Sequence, residues 1–525
     1  MSDITTQLLP VGLARNQPQR GRFAVNLGSN LANFGLSILV GLWFTPYLIR
    51  HLGVAAYGLI PLAVTVTSYM GLFTAALNAA VGRFITLCLD QNDYAEANRF
   101  FNTCFWGTVG VLVVLLGPAL WLASQARFFF NVPAGYEDQF AWLFLCTIGM
   151  FFLTTMASPF GVATFCRNRF DLSNAIAIVS TLVRIAVILL LFILCVPKVW
   201  HIGVAMLAAT VVGIVLSVVV WRHLTPMLTV QLSAFSRPAL QHLTGMGGWM
   251  VINQIGSLLY MSVDLVVINK VIGPEACGQY SAVMMWSLTL RSLAGVVSGV
   301  LGPTIVSLYG RQDTAGLVTY SRRAVKFVGL MLAFPIGVIC GFAQPLLRIW
   351  LGPAFEPLAP LMSLMTVHLC VNLAVLPLFN IQVATNHVRL PGVLTCVMGL
   401  GSLGLALLLA GPVGWGMYGV AVAGAVMLTA KNLVFTPLYA ARILGLGYVT
   451  FYREILPIVG MTLGLAGGAW WLARSFHLHT WLGLGLSGMG VAAVFAAGTY
   501  FFLLSSDERN HGLRLIRPLR MFVSQ

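Results

Sequence analysis

Charge is what this chain has least of. Of its 525 residues, 29 are Lys or Arg and 14 are Asp or Glu, so only 8% are charged. An ordinary soluble domain carries roughly 25%. So few charged side chains cannot cover the surface of a water-soluble protein this long, and a soluble fold is excluded. Cysteine chemistry is missing too. The nine cysteines, at 88, 104, 146, 166, 195, 277, 340, 370 and 396, are scattered through apolar runs without a CxxC. That argues against a zinc site or a disulfide framework and for thiols packed as small apolar groups. No cleavable signal peptide is expected at the start. Residues 1–22 are polar, with Arg15, Arg20 and Arg22 leading into an apolar run too long and too rich in asparagine for a signal core. That run reads as a first permanent span.

What the chain does have is apolar length, with 59% hydrophobic residues. Phe23 to Pro46 carries no charge over about the length that crosses a bilayer core. Apolar runs between charged punctuation predict spans near 23–46, 58–80, 101–123, 140–163, 172–195 and 203–221. Further spans fall near 244–268, 277–305, 327–344, 357–380, 392–411, 418–441, 455–473 and 481–504. The expected fold class is an all-α polytopic membrane protein of about 14 transmembrane helices. Its parts are a cytoplasmic tail at 1–22, a six-helix N-lobe at 23–221, a cytoplasmic linker at 222–243 and a six-helix C-lobe at 244–441. Two more helices at 442–504 and a cytoplasmic tail at 505–525 follow. Prolines such as Pro46, Pro118, Pro159, Pro335, Pro377 and Pro437 recur in or beside the spans, as membrane helices tolerate. With the N-terminus inside, 20 of the 29 Lys and Arg fall on the cytoplasmic side and six (Arg50, Arg127, Lys198, Lys270, Arg348 and Arg474) on the other. This positive-inside bias orients both termini to the cytoplasm. It also accounts for the net charge of +15 through anionic lipid headgroups, without nucleic acid.

The two six-span blocks repeat one another. Asn33 and Asn253, Ser37 and Ser257, Gly53 and Gly273, Gly58 and Gly278, Gly82 and Gly302, and Asp93 and Asp313 are each 220 residues apart. An even number of spans per repeat gives both halves the same orientation, so their symmetry axis runs along the membrane normal and a substrate path is expected between them. Duplicated bundles also serve as scaffolds.

Polar side chains three or four residues apart share a helix face. The first span carries Asn26, Asn30, Asn33 and Ser37, and the seventh carries Asn253, Ser257, Tyr260 and Asp264. The second offers Thr67, Thr74 and Asn78, and the eighth offers Tyr280, Met284, Ser287, Arg291 and Ser298. Such stripes face a wet cavity or bond to neighbouring helices in a static bundle. Four charges sit within spans: Arg184, Asp264, Arg291 and Lys431. Each costs roughly 2.5–3.5 kcal/mol at a span centre and so calls for water, a partner or a ligand. The rise per residue puts Arg184, Arg291 and Lys431 about 18, 21 and 15 Å from their cytoplasmic ends, in mid-bilayer. Asp264 lies about 9 Å from the outer end of its span, an offset of about 12 Å from Arg291 that argues against a direct pair. Three bases less one acid leave +2 and point to an anionic ligand. Snorkelling or internal pairing is the alternative for each base. Asp264 is either a carboxylate coupled to H+ or Na+ or a hydrogen-bonded acid.

The opening Asn/Ser span, Leu52-Gly53…Tyr57-Gly58, the Gly82-Arg83-Phe84 close of the second span, and Asp264…Ile272-Gly273…Gly278-Gln279-Tyr280-Ser281 together resemble the polysaccharide exporter branch of the MOP superfamily. These are the flippases for O-antigen and exopolysaccharide units. The resemblance covers nearly the whole chain, and the order and spacing of its short motifs carry it. It implies two pseudo-symmetric six-helix lobes in a V around a cationic cavity, with two C-terminal helices added. It also implies alternating access of an oligosaccharide on undecaprenyl pyrophosphate across the bacterial inner membrane. Arg291 matches that family's eighth-span arginine in the cavity wall; Arg184 and Lys431 are assigned on physical grounds alone. A lipid II flippase typically has arginines in its first span, and the asparagines here point away from that branch.

The expected substrate-binding set is therefore Arg291, Arg184 and Lys431 at the pyrophosphate, since the arginine fork suits phosphate. The polar stripes with Trp249 and Trp286 would face the sugars. No enzymatic centre, metal or cofactor is expected beyond coupling to H+ or Na+. The expected partners are the lipid-linked oligosaccharide, membrane lipids, a polymerase and chain-length or export proteins. A drug or cation antiporter of the MATE type would favour an acid-rich cavity. A membrane polymerase or glycosyltransferase would call for a long outer loop bearing acids and bases, and the outer loops are short. His477 and His479 alone make a weak metal site.

Overall fold

Helix is the regular structure throughout the described residues, because a backbone crossing lipid must satisfy its own hydrogen bonds. The computed structural model describes residues 19–71, 81–82, 84–86, 88–89, 91–241, 243, 254–259, 263–476 and 478–503. The N-lobe comprises α1 (Gln19–Leu52), α2 (Val54–Met70, with further helical residues between 81 and 89), α3 (Tyr94–Ser124), α4 (Glu137–Cys166), α5 (Phe170–Leu194) and α6 (Val199–Leu224). The C-lobe begins with α7, described at 254–259 and Val263–Val271. It continues with α8 (Pro274–Gly310), α9 (Thr314–Gly341), α10 (Pro353–Asn372, followed by Leu376–Ala384), α11 (Arg389–Ala410) and α12 (Gly416–Ile443). Two more helices, α13 (Tyr452–Phe476) and α14 (Trp481–Phe501), follow. Among the described residues, 12 helices are long and apolar enough to cross a bilayer, and α2 adds a shorter apolar one. The protein is a polytopic α-helical membrane protein.

The repeat is visible in its turns. Gly53 and Gly273 have φ of 84° and 131°, a region that disfavours a side chain, and each closes the turn between the first two helices of its lobe. At the other face Asn92 and Gln312 both have φ 58°, and the next residue caps the third helix. There Asp93 accepts from the Glu96 N–H at 2.9 Å and Asp313 from the Gly316 N–H at 2.8 Å. These turns name the two faces of the molecule, the Gly53 face and the Asp93 face.

Among the described residues the lobes meet on the Gly53 half. There α2 crosses α8 with backbone against backbone: a Cβ on Gly58 would lie 2.5 Å from the Gly278 nitrogen, and one on Gly278 would collide with the Val54 carbonyl. The connections after α3 and α9 each reach across to the first helix of the opposite lobe. Asn131 after α3 bonds Asn269 of α7, and Trp350 after α9 donates from Nε1 to the Leu42 carbonyl of α1 at 2.6 Å. The main apolar core runs through both lobes, from Phe44 and Leu59 to Leu290 and Ile336.

On the Asp93 face the described residues show packing within each lobe. A separate core unites Ile85, Phe101, Trp221, Leu228 and Leu243, all from the N-lobe and the segment after α6. That segment, the expected linker, lies along α3. Asn102 Nδ2 donates to the Thr229 carbonyl at 2.8 Å and its Oδ1 accepts from the Gln231 N–H at 2.7 Å. In the C-lobe, α13 packs along α9. Arg322 pairs with Glu454 at 2.7 Å near the Asp93 face, and the packing continues to the Gly53 end, where Gly337 faces Leu465 and Gly341 faces Ala469.

Candidate functional site

One face of α8 gathers the chemistry. Tyr280, Met284, Ser287, Leu288 and Arg291 follow helical spacing and line a cavity of about 40 Å³ with Asp264 of α7, Met365 and His368 of α10, and Ala421, Gly424, Ala425 and Leu428 of α12. That volume admits water. The small residues at 421, 424 and 425 recur every three or four positions, so α12 turns a smooth side to the cavity and leaves the polar groups room. Tyr280 Oη donates to Asp264 Oδ2 at 2.8 Å. Ser287 donates to the Met365 carbonyl at 2.8 Å, tying α8 to the α10 backbone. His368 Nδ1 lies 3.0 Å from the Leu364 carbonyl.

The expected offset of Asp264 from Arg291 along the helices does not keep them apart in space to the point of separate sites, since both line this one cavity. Tyr280 sits about 9 Å along α8 and Asp264 about 10 Å from the end of α7, so these two are level. Arg291 lies three turns deeper, but helical side chains lean toward the N-terminus of their helix. For α8 that lean carries a long arginine back toward Asp264.

The other mid-span bases lie elsewhere. Arg184 is on α5 of the opposite lobe, and its Nε is buried without a hydrogen-bond partner among the described residues. Lys431 is 4% exposed in a π-helical stretch of α12, Ala430–Phe435, with Nζ 5.1 Å from the centre of the Phe379 ring. The lining of the 40 Å³ cavity ends at Leu428, a turn short of Lys431. The three bases therefore do not form one cluster around it.

The first-span stripe divides. Asn26 Nδ2 donates to the Asn168 carbonyl at 3.1 Å and its Oδ1 accepts from the Asp171 N–H at 3.2 Å. Asn30 Oδ1 accepts from Asn174 Nδ2 at 2.9 Å. These two asparagines fasten α1 to the start of α5 within one lobe. Ser37 donates to the Asn33 carbonyl at 2.8 Å on its own helix. Thr67 is buried and bonds back to Ala63 and Val64. Trp286 stands edge-on to Trp350 at 5.5 Å, beside the interlobe contact rather than on the 40 Å³ cavity. Ser257 and Ser298 are partly buried on α7 and α8. Thr74, Asn78, Trp249 and Asn253 lie outside the described residues, as do Arg83, Tyr260 and His477.

Two groups escaped the sequence reading. His368 is a lone histidine among the uncharged residues of its span, and nothing in the sequence sets it apart. Asn131 and Asn269 follow no periodic pattern, yet they form a reciprocal clasp: Asn131 N–H to Asn269 Oδ1 at 2.9 Å, Asn131 Nδ2 to the Asn269 carbonyl at 2.8 Å, and Asn269 Nδ2 to the Asn131 carbonyl at 2.9 Å. Lys270 Nζ adds a bond to the Phe128 carbonyl at 3.2 Å.

Residues 23–309 match the family described as polysaccharide biosynthesis protein. An uncharacterized membrane protein, EpsK of Bacillus subtilis (strain 168), is 34% identical over 510 residues, covering 96% of this chain and 100% of its own. The chain belongs to the polysaccharide biosynthesis protein family. Its fold is that of the MOP superfamily. The lipid II flippase MurJ in an inward closed conformation aligns with a TM-score of 0.59 at 13% identity, over 92% of this chain and 99% of its own. An inward-facing multidrug resistance MATE transporter of that superfamily aligns with a TM-score of 0.54 at 13% identity, over 80% and 98%. At such identity the likeness is one of fold. The family membership rests on sequence, and it places this two-lobed membrane protein in polysaccharide biosynthesis.

Proposed function

We propose that this member of the family is a flippase for a lipid-linked, anionic oligosaccharide, working by alternating access. The observation that carries the reading is the mid-span arginine on each lobe, Arg184 on α5 and Arg291 on α8, combined with interlobe contacts that, among the described residues, gather on the Gly53 half. The positive-inside bias assigns the Asp93 face and both termini to the cytoplasm of a bacterial inner membrane. The state described is then joined on the outer side. A carrier such as undecaprenyl pyrophosphate enters between the lobes from the cytoplasmic leaflet, its tail staying in lipid.

Phosphates are costly to strip of water in hydrocarbon. Arg291 and Arg184 meet them with forked donors, as planar guanidinium groups suit phosphate oxygens. Lys431, covered by Phe379, contributes charge rather than contact. Asp264, held by Tyr280 and sharing its cavity with Arg291 and His368, is the group assigned to coupling with H+ or Na+. Release of the Asn131–Asn269 clasp opens the outer side. A polymerase and chain-length or export proteins act on the delivered unit, and the chain itself performs no bond-making step.

Two measurements test this. Deleting the gene should strand the carrier-linked oligosaccharide on the inner leaflet; unpolymerised units on the outer leaflet would identify a polymerase instead. Arg291→Ala should abolish transfer while the protein still reaches the membrane, and normal export by that variant would remove Arg291 from the mechanism.

A further inference from the structure

A wide polar cavity in the C-terminal half of the chain lies outside this path. It measures about 800 Å³ at the Gly53 face, between the end of α9, the segment leading into α10, and the last turns of α13. That is the size of a small-molecule site. We propose that it holds the phosphate-bearing head of a membrane lipid.

The residues on its walls set the chemistry. The short helix Ala343–Leu351 buries Leu346, Leu347 and Trp350 and turns Gln344 and Arg348, one helical turn apart, to the cavity. Among the described residues of the wall the one carboxylate, Glu356, is already engaged: Gln344 Nε2 donates to it at 2.7 Å and Arg348 lies 3.7 Å away. Across the cavity, the Arg474 guanidinium stacks on Trp470 at 4.6 Å. Stacking fixes the plane of the guanidinium and leaves its N–H edge to bind an anion bidentately. His479 lies on the same wall. The cavity thus presents a fixed arginine edge whose charge the local acid, committed to Arg348, does not cancel.

The level of the opening selects the source of the phosphate. Trp470, Trp471, Phe476 and Trp481 are all more than half exposed around this end of α13 and α14. Exposed aromatics of this kind mark the headgroup layer, and basic pockets between membrane helices at that level take anionic lipid heads. Lipid therefore reaches the mouth directly.

The test uses the full chain and counts bound lipid by native mass spectrometry, with phosphatidylglycerol as the probe. Arg474→Ala should weaken its retention by roughly tenfold or more, the loss expected for a charge-assisted contact. Arg474→Lys should fall between the two, since it keeps the charge and loses the fork. Arg222→Ala, on the Asp93 face, should leave retention unchanged. All variants should elute and melt like the parent protein, as Arg474 lies exposed at the protein surface. Unchanged retention in Arg474→Ala would overturn the proposal. So would equal retention of diacylglycerol, which lacks phosphate, or displacement of the lipid by millimolar inorganic phosphate, which would assign the cavity to a soluble anion. None of these outcomes depends on whether the chain transports an oligosaccharide.

Discussion

On the Gly53 face Asn131 and Asn269 bridge the two lobes, whereas on the Asp93 face Asn26, Asn30 and Asn174 bind one lobe to itself. The residue type is the same, and so is the need for every amide in a lipid-embedded fold to find a partner. What differs is whether the partner lies across the pseudo-symmetry axis. An amide bond across the axis resists relative movement of the lobes, and one within a lobe keeps that lobe rigid while it moves. In a protein that opens one side at a time, the first kind must break in each cycle and the second must not.

The comparison can be broken most severely at α2 and α8. Gly278→Leu places a side chain where the Val54 backbone already sits, and backbone cannot move aside as a side chain can. Overpacking there should cost on the order of 3 kcal/mol. The expected outcome is parting of the lobes on the Gly53 face. It would be read as a longer, broader distance between spin labels at positions 134 and 275, with the exposed Cys195 replaced by serine. Unchanged label distances would show that the crossing is not what holds the lobes together.

The clasp should matter less. Asn269→Ala removes the two bonds made by the Asn269 side chain and leaves the one from Asn131 Nδ2 to the main-chain carbonyl of residue 269, while Asn131 is exposed and can turn to water. A net cost of about 1–2 kcal/mol follows, which shifts a two-state balance by roughly 5- to 30-fold. The same labels should report a second, longer population without loss of the closed one. A single unaltered population would mean that the clasp is incidental.

The difference between the faces also explains what the sequence could and could not reveal. Apolar run length disclosed the spans, because crossing lipid demands it. The 220-residue repeat located the paired turns: Gly53 and Gly273 need φ values that glycine supplies, and Asp93 and Asp313 cap helices that each lobe starts in the same way. The stripe on α8 was readable because Tyr280, Met284, Ser287 and Arg291 keep helical spacing and share one cavity. The stripe on α1 had the same spacing and a different fate, since spacing gives a face but not the neighbour that covers it. Asn26 and Asn30 turned out to face α5. Lys431 lies in a π-helical stretch, a local register that leaves no mark in the sequence. The Asn131–Asn269 clasp joins a loop to the end of a span, and no periodicity announces such a contact.

The smallest effect should come from Asn174, and it is the sharpest test of the comparison. Asn174 Nδ2 donates to Ser29 Oγ at 3.0 Å and to Asn30 Oδ1 at 2.9 Å, joining α5 to α1 within the N-lobe. Replacing it with alanine removes both bonds, but Ser29 Oγ keeps its own bond to the Asn26 carbonyl at 2.9 Å, and Asn26 keeps its bonds to Asn168 and Asp171. A loss of about 1 kcal/mol is therefore expected. It should appear as a slightly lower melting temperature and faster amide exchange near the start of α1, with the 134–275 label distance unchanged. The direction matters more than the size. If Asn174→Ala moved those labels as Asn269→Ala is expected to, bonds inside a lobe would be setting the position of the lobes, and the division of labour between the two faces would be wrong.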